Sequence, residues 1–270
     1  MDVIVIMTGV LSRGVRDTGP TGFNSVQKHL IIPAKGMGGN VNIWAFNNIP
    51  KTVDGREAPQ DGARSLYPEF DHYVEIKQED IDSSDRAEKL RDWLWKSVFI
   101  DNHCYRNRPG PVGVWCVNEL QPNIVRLEYM EELAMNHLAT EVKAGKVKDN
   151  TIILLMSPEM IIPDFNFQLV QWAIEAPPAA PRALAITASK GNLYAGGVRY
   201  HDGVIAARTD VILHWWHQKK NPTKRHIFYE QWFEDSLRGI VCRSIGSCAA
   251  RPRHKSYLPT HEEEPIPWHF

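Results

Sequence analysis

Residues Thr151-Ile-Ile-Leu-Leu-Met156, followed at once by Ser157-Pro158-Glu159, decide the fold. The apolar run has no polar alternation, so it reads as a central strand buried on both faces, the pattern of a mostly parallel sheet. The loop Ser157 to Glu159 then leaves at a strand's carboxyl end, where ligands collect in open α/β sheets.

Working outward, the chain upstream carries a long helix, Asn123 to Ala144, whose residues Ile124, Leu127, Met130, Leu133, Ala134 and Leu138 follow three- and four-residue steps. Such spacing lays one apolar face on the sheet. At the start, Val3-Ile-Val-Ile-Met7 is a short apolar strand that stops at Thr8-Gly9, where glycine eases a turn. A helix near Phe23 to Ile32 and a strand Val41 to Phe46 follow. Strand, helix and strand in that order predict a right-handed parallel crossover. Beyond a Gly-, Pro- and charge-rich loop from Pro50 to Pro68 come a strand His72 to Ile76 and an acid-opened helix, Asp80 to Asp85, running into Ala87 to Trp95.

Downstream, the sequence predicts a helix Phe167 to Ile174, a proline-rich turn, a strand at Ala183 to Thr187, a strand or loop through Val198 to Ala207, and helices Thr209 to His217 and Tyr229 to Arg238. The fold class expected is α/β: one Rossmann-like domain over residues 1–250, its mostly parallel central sheet flanked by helices. Residues 251–270, rich in proline and charge without periodicity, read as an extended C-terminal tail. The chain shows no internal repeat.

With 31 basic against 32 acidic residues, no global field draws the chain to nucleic acid or an anionic membrane. No apolar run is long enough to span a bilayer, and Asp2 stands where a signal peptide carries positive charge. Cys104, Cys116, Cys242 and Cys248 lack the CxxC spacing of zinc sites and are too sparse for a disulfide scaffold. A cytoplasmic protein with reduced thiols is expected.

Four patterns resemble small GT-A-type glycosyltransferases, including compact signal-less enzymes of bacterial and large algal virus glycan pathways. Val3-Ile-Val-Ile-Met-Thr-Gly-Val-Leu-Ser-Arg13 is similar to their opening strand and loop, and Arg126-Leu-Glu-Tyr-Met-Glu-Glu-Leu133 to the helix before their central strand. Ile153-Leu-Leu-Met-Ser-Pro-Glu-Met160 stands where such enzymes carry Arg-Pro-Asp or Asp-x-Asp; here Glu159 remains, with Asp164 five residues on. Tyr200-His-Asp-Gly-Val-Ile-Ala-Ala-Arg-Thr-Asp210 resembles their segment before a helix, and Tyr229 to Phe233 the acid-opened helix beyond it. The resemblance implies a GT-A-like fold and transfer of a sugar from a nucleotide-sugar donor, a UDP-sugar first, to a glycan or glycoprotein acceptor hydroxyl. A viral member would act in the host cytoplasm.

Sugar transfer needs a place for base and ribose, neutralisation of the departing diphosphate and, for inversion, a carboxylate that deprotonates the acceptor. Thr8, Gly9 and Val10 are candidates for the first by backbone contact, or form an ordinary strand-to-helix turn. Arg13 and Arg16 offer bidentate forks to phosphate, or are surface arginines. Arg126, Ser157, Pro158 and His201 complete the nucleotide-sugar set, Arg126 being equally a salt-bridged helix residue. Asp202 is the candidate base, or else a turn or cap aspartate. Glu159 is a catalytic carboxylate, a ligand for Mn²⁺ or Mg²⁺, or a helix cap; metal-independent transfer stays open. Trp172, Tyr194, Trp215 and Trp216 are candidates for an acceptor platform, with core packing the alternative. His214 and His217 are spaced for zinc or for simple packing.

The main alternative is a catalytically inactive nucleotide- or carbohydrate-binding module of the same fold, in keeping with the lost Asp-x-Asp. A nucleotide hydrolase is disfavoured because GxxxxGK[ST], GxSxG and GxGxxG are all absent. The scattered basic stretches Lys219-Lys220, Lys224-Arg225 and Arg251 to Lys255 read as solvated surface rather than a nucleic-acid interface.

Overall fold

The computed structural model describes residues 1–16, 19–53, 55–99, 117–162, 167–187, 200–226 and 229–247. Its seven-stranded sheet contains β1 (Val3–Gly9), β2 (Val41–Ile49), β3 (His72–Lys77), β4 (Ile152–Met156), β5 (Arg182–Thr187), β6 (Tyr200–Arg208) and β7 (Val241–Ser247). The spatial order is β7-β5-β6-β4-β1-β2-β3. Strands β4, β1, β2 and β3 are mutually parallel, and β7 is parallel to β5. Strand β6, wedged between β4 and β5, runs antiparallel to both neighbours. The architecture is the expected mixed α/β one.

Helices cover both faces because the apolar residues alternate between two cores. Ile4, Ile6, Trp44, Phe46, Ile153 and Leu155 share one core with α3 (Asp85–Trp93), α4 (Val117–Lys143), α6 (Thr209–Lys220) and α7 (Tyr229–Ser236). Val3, Val5, Met7, Ala45, Leu154 and Met156 share the other with α1 (Thr21–Val26) and α5 (Phe167–Ile174). Every residue of β4 is buried, as its unbroken apolar run requires.

Several boundaries differ from the sequence reading. Helix α1 continues through a π-helical turn, Gln27–Ile31, into Ile32–Gly36. The acid-opened helix splits at Ser83-Ser84 into α2 (Gln78–Asp82) and α3, because the Ser84 hydroxyl caps α3 by accepting from the Ala87 N–H at 3.1 Å. Helix α4 begins at Val117 and runs through Pro122. Strand β7 is absent from the sequence expectation; its run Val241 to Ser247 mixes polar, charged and small residues at the sheet edge and carries little apolar alternation. The expected tail, 251–270, lies outside the described residues.

A buried ionic cluster ties α4, α6 and α7 together. Lys219 is fully buried, its Nζ 2.5 Å from both Glu128 Oε1 and Glu131 Oε2. It also donates to the Tyr229 hydroxyl at 2.9 Å, and that hydroxyl donates to Glu128 at 2.9 Å. Rings of Trp215, Trp216, Tyr229 and Trp232 lie 5.0–5.6 Å from the ammonium. Burial alone would push Glu128 up and Lys219 down. The opposing charges prevail, so Glu128 sits below the usual carboxylate range and Lys219 above the usual lysine value.

Candidate functional site

The carboxyl ends of β1, β2 and β4 lie side by side. Met7 pairs with Met156, and Gly9 pairs with Asn47. Strand β6, running the other way, begins at this same edge: Val204 pairs with Met156, and the Ser157 N–H donates to the Gly203 carbonyl at 2.9 Å. The register between β6 and β5 shifts between His201 and Ile205. The fold thus gathers Thr8 to Val10, Ser157 to Glu159 and the backbone of His201-Asp202 at one edge, although they are far apart along the chain. The side chains of His201 and Asp202 are outside the described set, as is that of Arg16, whose backbone pairs with Gly19.

Thr8 is buried, and Gly9 adopts a φ of 119°, which favours glycine. After extended Val10 the chain makes a single 3₁₀ turn, Leu11–Gly14, closed by the Arg13 N–H donating to the Val10 carbonyl at 3.0 Å. Arg13 is half-buried on that turn. The turn is seated directly on the β4 loop: a methyl group on Gly14 would stand 2.3 Å from the Pro158 carbonyl oxygen, and one on Gly22 2.4 Å from it. Only glycine lets both segments approach so closely. The Ser25 hydroxyl accepts from Ile162 N–H at 2.9 Å, fixing the far side of the same loop.

Two atoms at this edge have hydrogen-bonding capacity that the described protein does not use. Asn48 is 5% exposed, and its Oδ1 accepts no hydrogen bond among the described residues; the Ser12 Oγ is likewise buried and without one. Buried polar atoms are nearly always paired, so each such exception calls for an explanation. Asn48 shares its face with Trp44 and Phe46, and Thr8 shares it with Ile4 and Ile6.

Arg126 forms a bidentate pair with Asp82, at the end of α2, and donates to Asn123 at 3.0 Å. Trp215 is a core residue, 1% exposed, its indole N–H donating to the Ser236 hydroxyl at 2.8 Å; packing is its role. Trp216 lies against Lys219 and Lys220, and the Trp172 ring lies against the guanidinium groups of Arg182 and Arg243. Tyr194 and Asp164 lie outside the described residues. Among the described residues no three His, Cys, Asp or Glu side chains are grouped to hold a metal ion, which includes His214, His217 and Glu159. Among them also, no helix is long and apolar enough to cross a membrane.

Ser12, Asn47, Asn48, Tyr67 and Tyr73 do not stand out in the sequence. The available signal is the polar pair Asn47-Asn48, which breaks an apolar strand at its carboxyl end.

No family model and no curated protein matches the chain. Solved structures similar to it include the galactosyltransferase LgtC in complex with donor and acceptor sugar analogs, at 9% identity and a TM-score of 0.39, covering 90% of this chain and 73% of that one. Mouse xyloside xylosyltransferase 1 in its apo form is similar at 10% identity and a TM-score of 0.43, covering 90% and 85%. A further LgtC structure, of an active-site mutant, is similar at 8% identity and a TM-score of 0.35, covering 90% and 72%.

Proposed function

We propose that the chain is a GT-A-like glycosyltransferase whose nucleotide-sugar donor, a UDP-sugar first, sits at the carboxyl edge of β1, β2 and β4. The observation that carries this reading is that two buried polar atoms, Asn48 Oδ1 and Ser12 Oγ, have no hydrogen-bond partner among the described residues, each near the end of a strand on the edge where two loops and the start of β6 converge. An amide and a hydroxyl suit the polar rim of a base or ribose.

In this reading Thr8, Gly9 and Val10 border the nucleoside, and Arg13 with Arg16 neutralises the diphosphate as the glycosidic bond breaks. Asp202 takes the proton of the acceptor hydroxyl as that oxygen attacks the anomeric carbon. Ser157, Pro158 and His201 border the sugar. Glu159 hydrogen-bonds the donor sugar, and a divalent cation, Mn²⁺ or Mg²⁺, if the reaction uses one, associates with it. The acceptor is a glycan or glycoprotein hydroxyl.

A thermal-shift panel of UDP, GDP, CMP and their sugars, with and without Mn²⁺, tests the donor site. A ligand at a hundredfold excess over its Kd stabilises the fold by about 2.7 kcal/mol. A selective shift with one nucleotide, lost in Asn48→Ala and Ser12→Ala, is expected. No shift with any nucleotide rejects the site. A shift without donor consumption favours the inactive binding module.

A further inference from the structure

The 3₁₀ turn after β1 has both backbone polar groups of its first residue held by distant side chains. The Leu11 N–H donates to Asn47 Oδ1 at 3.1 Å, and the Leu11 carbonyl accepts from the Tyr67 hydroxyl at 2.8 Å. Asn47 is fully buried, and both ends of its amide are engaged: Nδ2 donates to the Gly62 carbonyl at 3.2 Å and to the Tyr73 hydroxyl at 3.0 Å. Gly62 has a φ of 58°, and a methyl group there would stand 2.4 Å from Asn47 Nδ2. The close fit leaves the amide no alternative seat.

The bracket is itself packed among aromatic rings. Tyr73 stacks on Phe70 at 5.3 Å with the Arg64 guanidinium 4.3 Å from its ring, and Tyr67 lies edge-on to Phe23. Burial pushes the Tyr73 hydroxyl up to about 12, so it stays protonated. Leu11 opens the turn that carries Ser12 and Arg13, and Gly14 at its end rests on Pro158.

We propose that Asn47 is a positioning residue: acting through Leu11, it fixes the turn Leu11–Gly14 in the form that presents Ser12 to the nucleoside and Arg13 to the diphosphate of a nucleotide donor. The inference rests on the donor-site reading above. An asparagine is needed because the position must accept from one backbone N–H and donate to one backbone carbonyl. Aspartate retains the first bond and sets an oxygen against the Gly62 carbonyl.

The test pairs hydrogen exchange with UDP titration calorimetry on wild type, Asn47→Asp and Tyr67→Phe. The expected result is faster exchange confined to the Leu11 to Gly14 amides, with β4 protected as before and UDP affinity reduced at least tenfold in Asn47→Asp. Tyr67→Phe, which removes a single hydroxyl, serves should Asn47→Asp not fold, and weakens UDP by a smaller factor. Unchanged exchange in the turn overturns the positioning role, as does unchanged affinity despite looser exchange. Absence of UDP binding by wild type with turn exchange still governed by Asn47 rejects the donor reading and leaves Asn47 as a structural brace only.

Discussion

Replacing Lys219 by methionine keeps most of the side-chain volume and removes the cation that bridges two buried glutamates. Glu128 is 0% and Glu131 4% exposed at the side chain, and the neighbouring cation, Lys220, is 3.5 Å from Glu128. Stranding buried charge by deleting one partner costs about 3–5 kcal/mol. With about 2.1 cal/mol/K of unfolding entropy per residue, 270 residues give about 0.57 kcal/mol/K, and Tm falls by about 5–9 °C. Calorimetry or circular dichroism at pH 7 measures it. Adding Glu128→Gln and Glu131→Gln removes the stranded charges and recovers more than half of the fall.

The deficit also depends on pH. In the wild type Glu128 is held below its ordinary value, so its stabilisation is present above the unfolded carboxylate pKa near 4.5 and is lost as pH falls through the lower folded value. In the variant, burial without Lys219 pushes the same carboxyl up, and acid relieves it. The difference in Tm therefore narrows below about pH 5. A fall of less than about 2 °C at pH 7, or a deficit independent of pH, refutes the reasoning.

His72 and His137 stack at 3.6 Å, and burial lowers both, the charge of His72 adding to the effect on His137 while Glu141 partly offsets it. The unfolded chain then binds more protons, so stability falls as pH drops below about 6.5; urea midpoints at pH 7.5, 6.5 and 5.5 should show a slope that His137→Gln flattens. Gly14→Ala forces backbone against the Pro158 carbonyl and costs about 1–3 kcal/mol, whereas Gly36→Ala, with nothing within 4 Å of the added carbon, leaves Tm unchanged or slightly higher. Burial pushes the Cys242 thiol up to about 12, so iodoacetamide at pH 8 followed by peptide mapping should find this position unlabelled in the native protein and labelled in urea.

The apolar runs Val3 to Met7 and Thr151 to Met156 are legible because burial on both faces demands uninterrupted hydrophobicity, and they locate the strand ends that carry Thr8 to Val10 and Ser157 to Glu159. Strand β7 is not legible, since an edge strand is specified by pairing with β5 rather than by its own alternation. The Asn47 bracket joins positions 11, 47, 62, 67 and 73 through side chains whose partners lie 15 to 56 residues apart, and no local pattern encodes such contacts. Trp215 reads as available for a sugar platform because an aromatic pair near a helix end has the same sequence pattern in core and cleft. Only the three-helix packing around Lys219 distinguishes them.

Phosphorus NMR of the wild-type protein with UDP-hexoses and UDP-pentoses, followed over hours with and without Mn²⁺, tests the central claim most directly. The account predicts that the resonances of one UDP-sugar give way to those of free UDP, and that Asp202→Asn abolishes the conversion while UDP still binds. Unchanged spectra for every donor, together with no nucleotide binding, would contradict it.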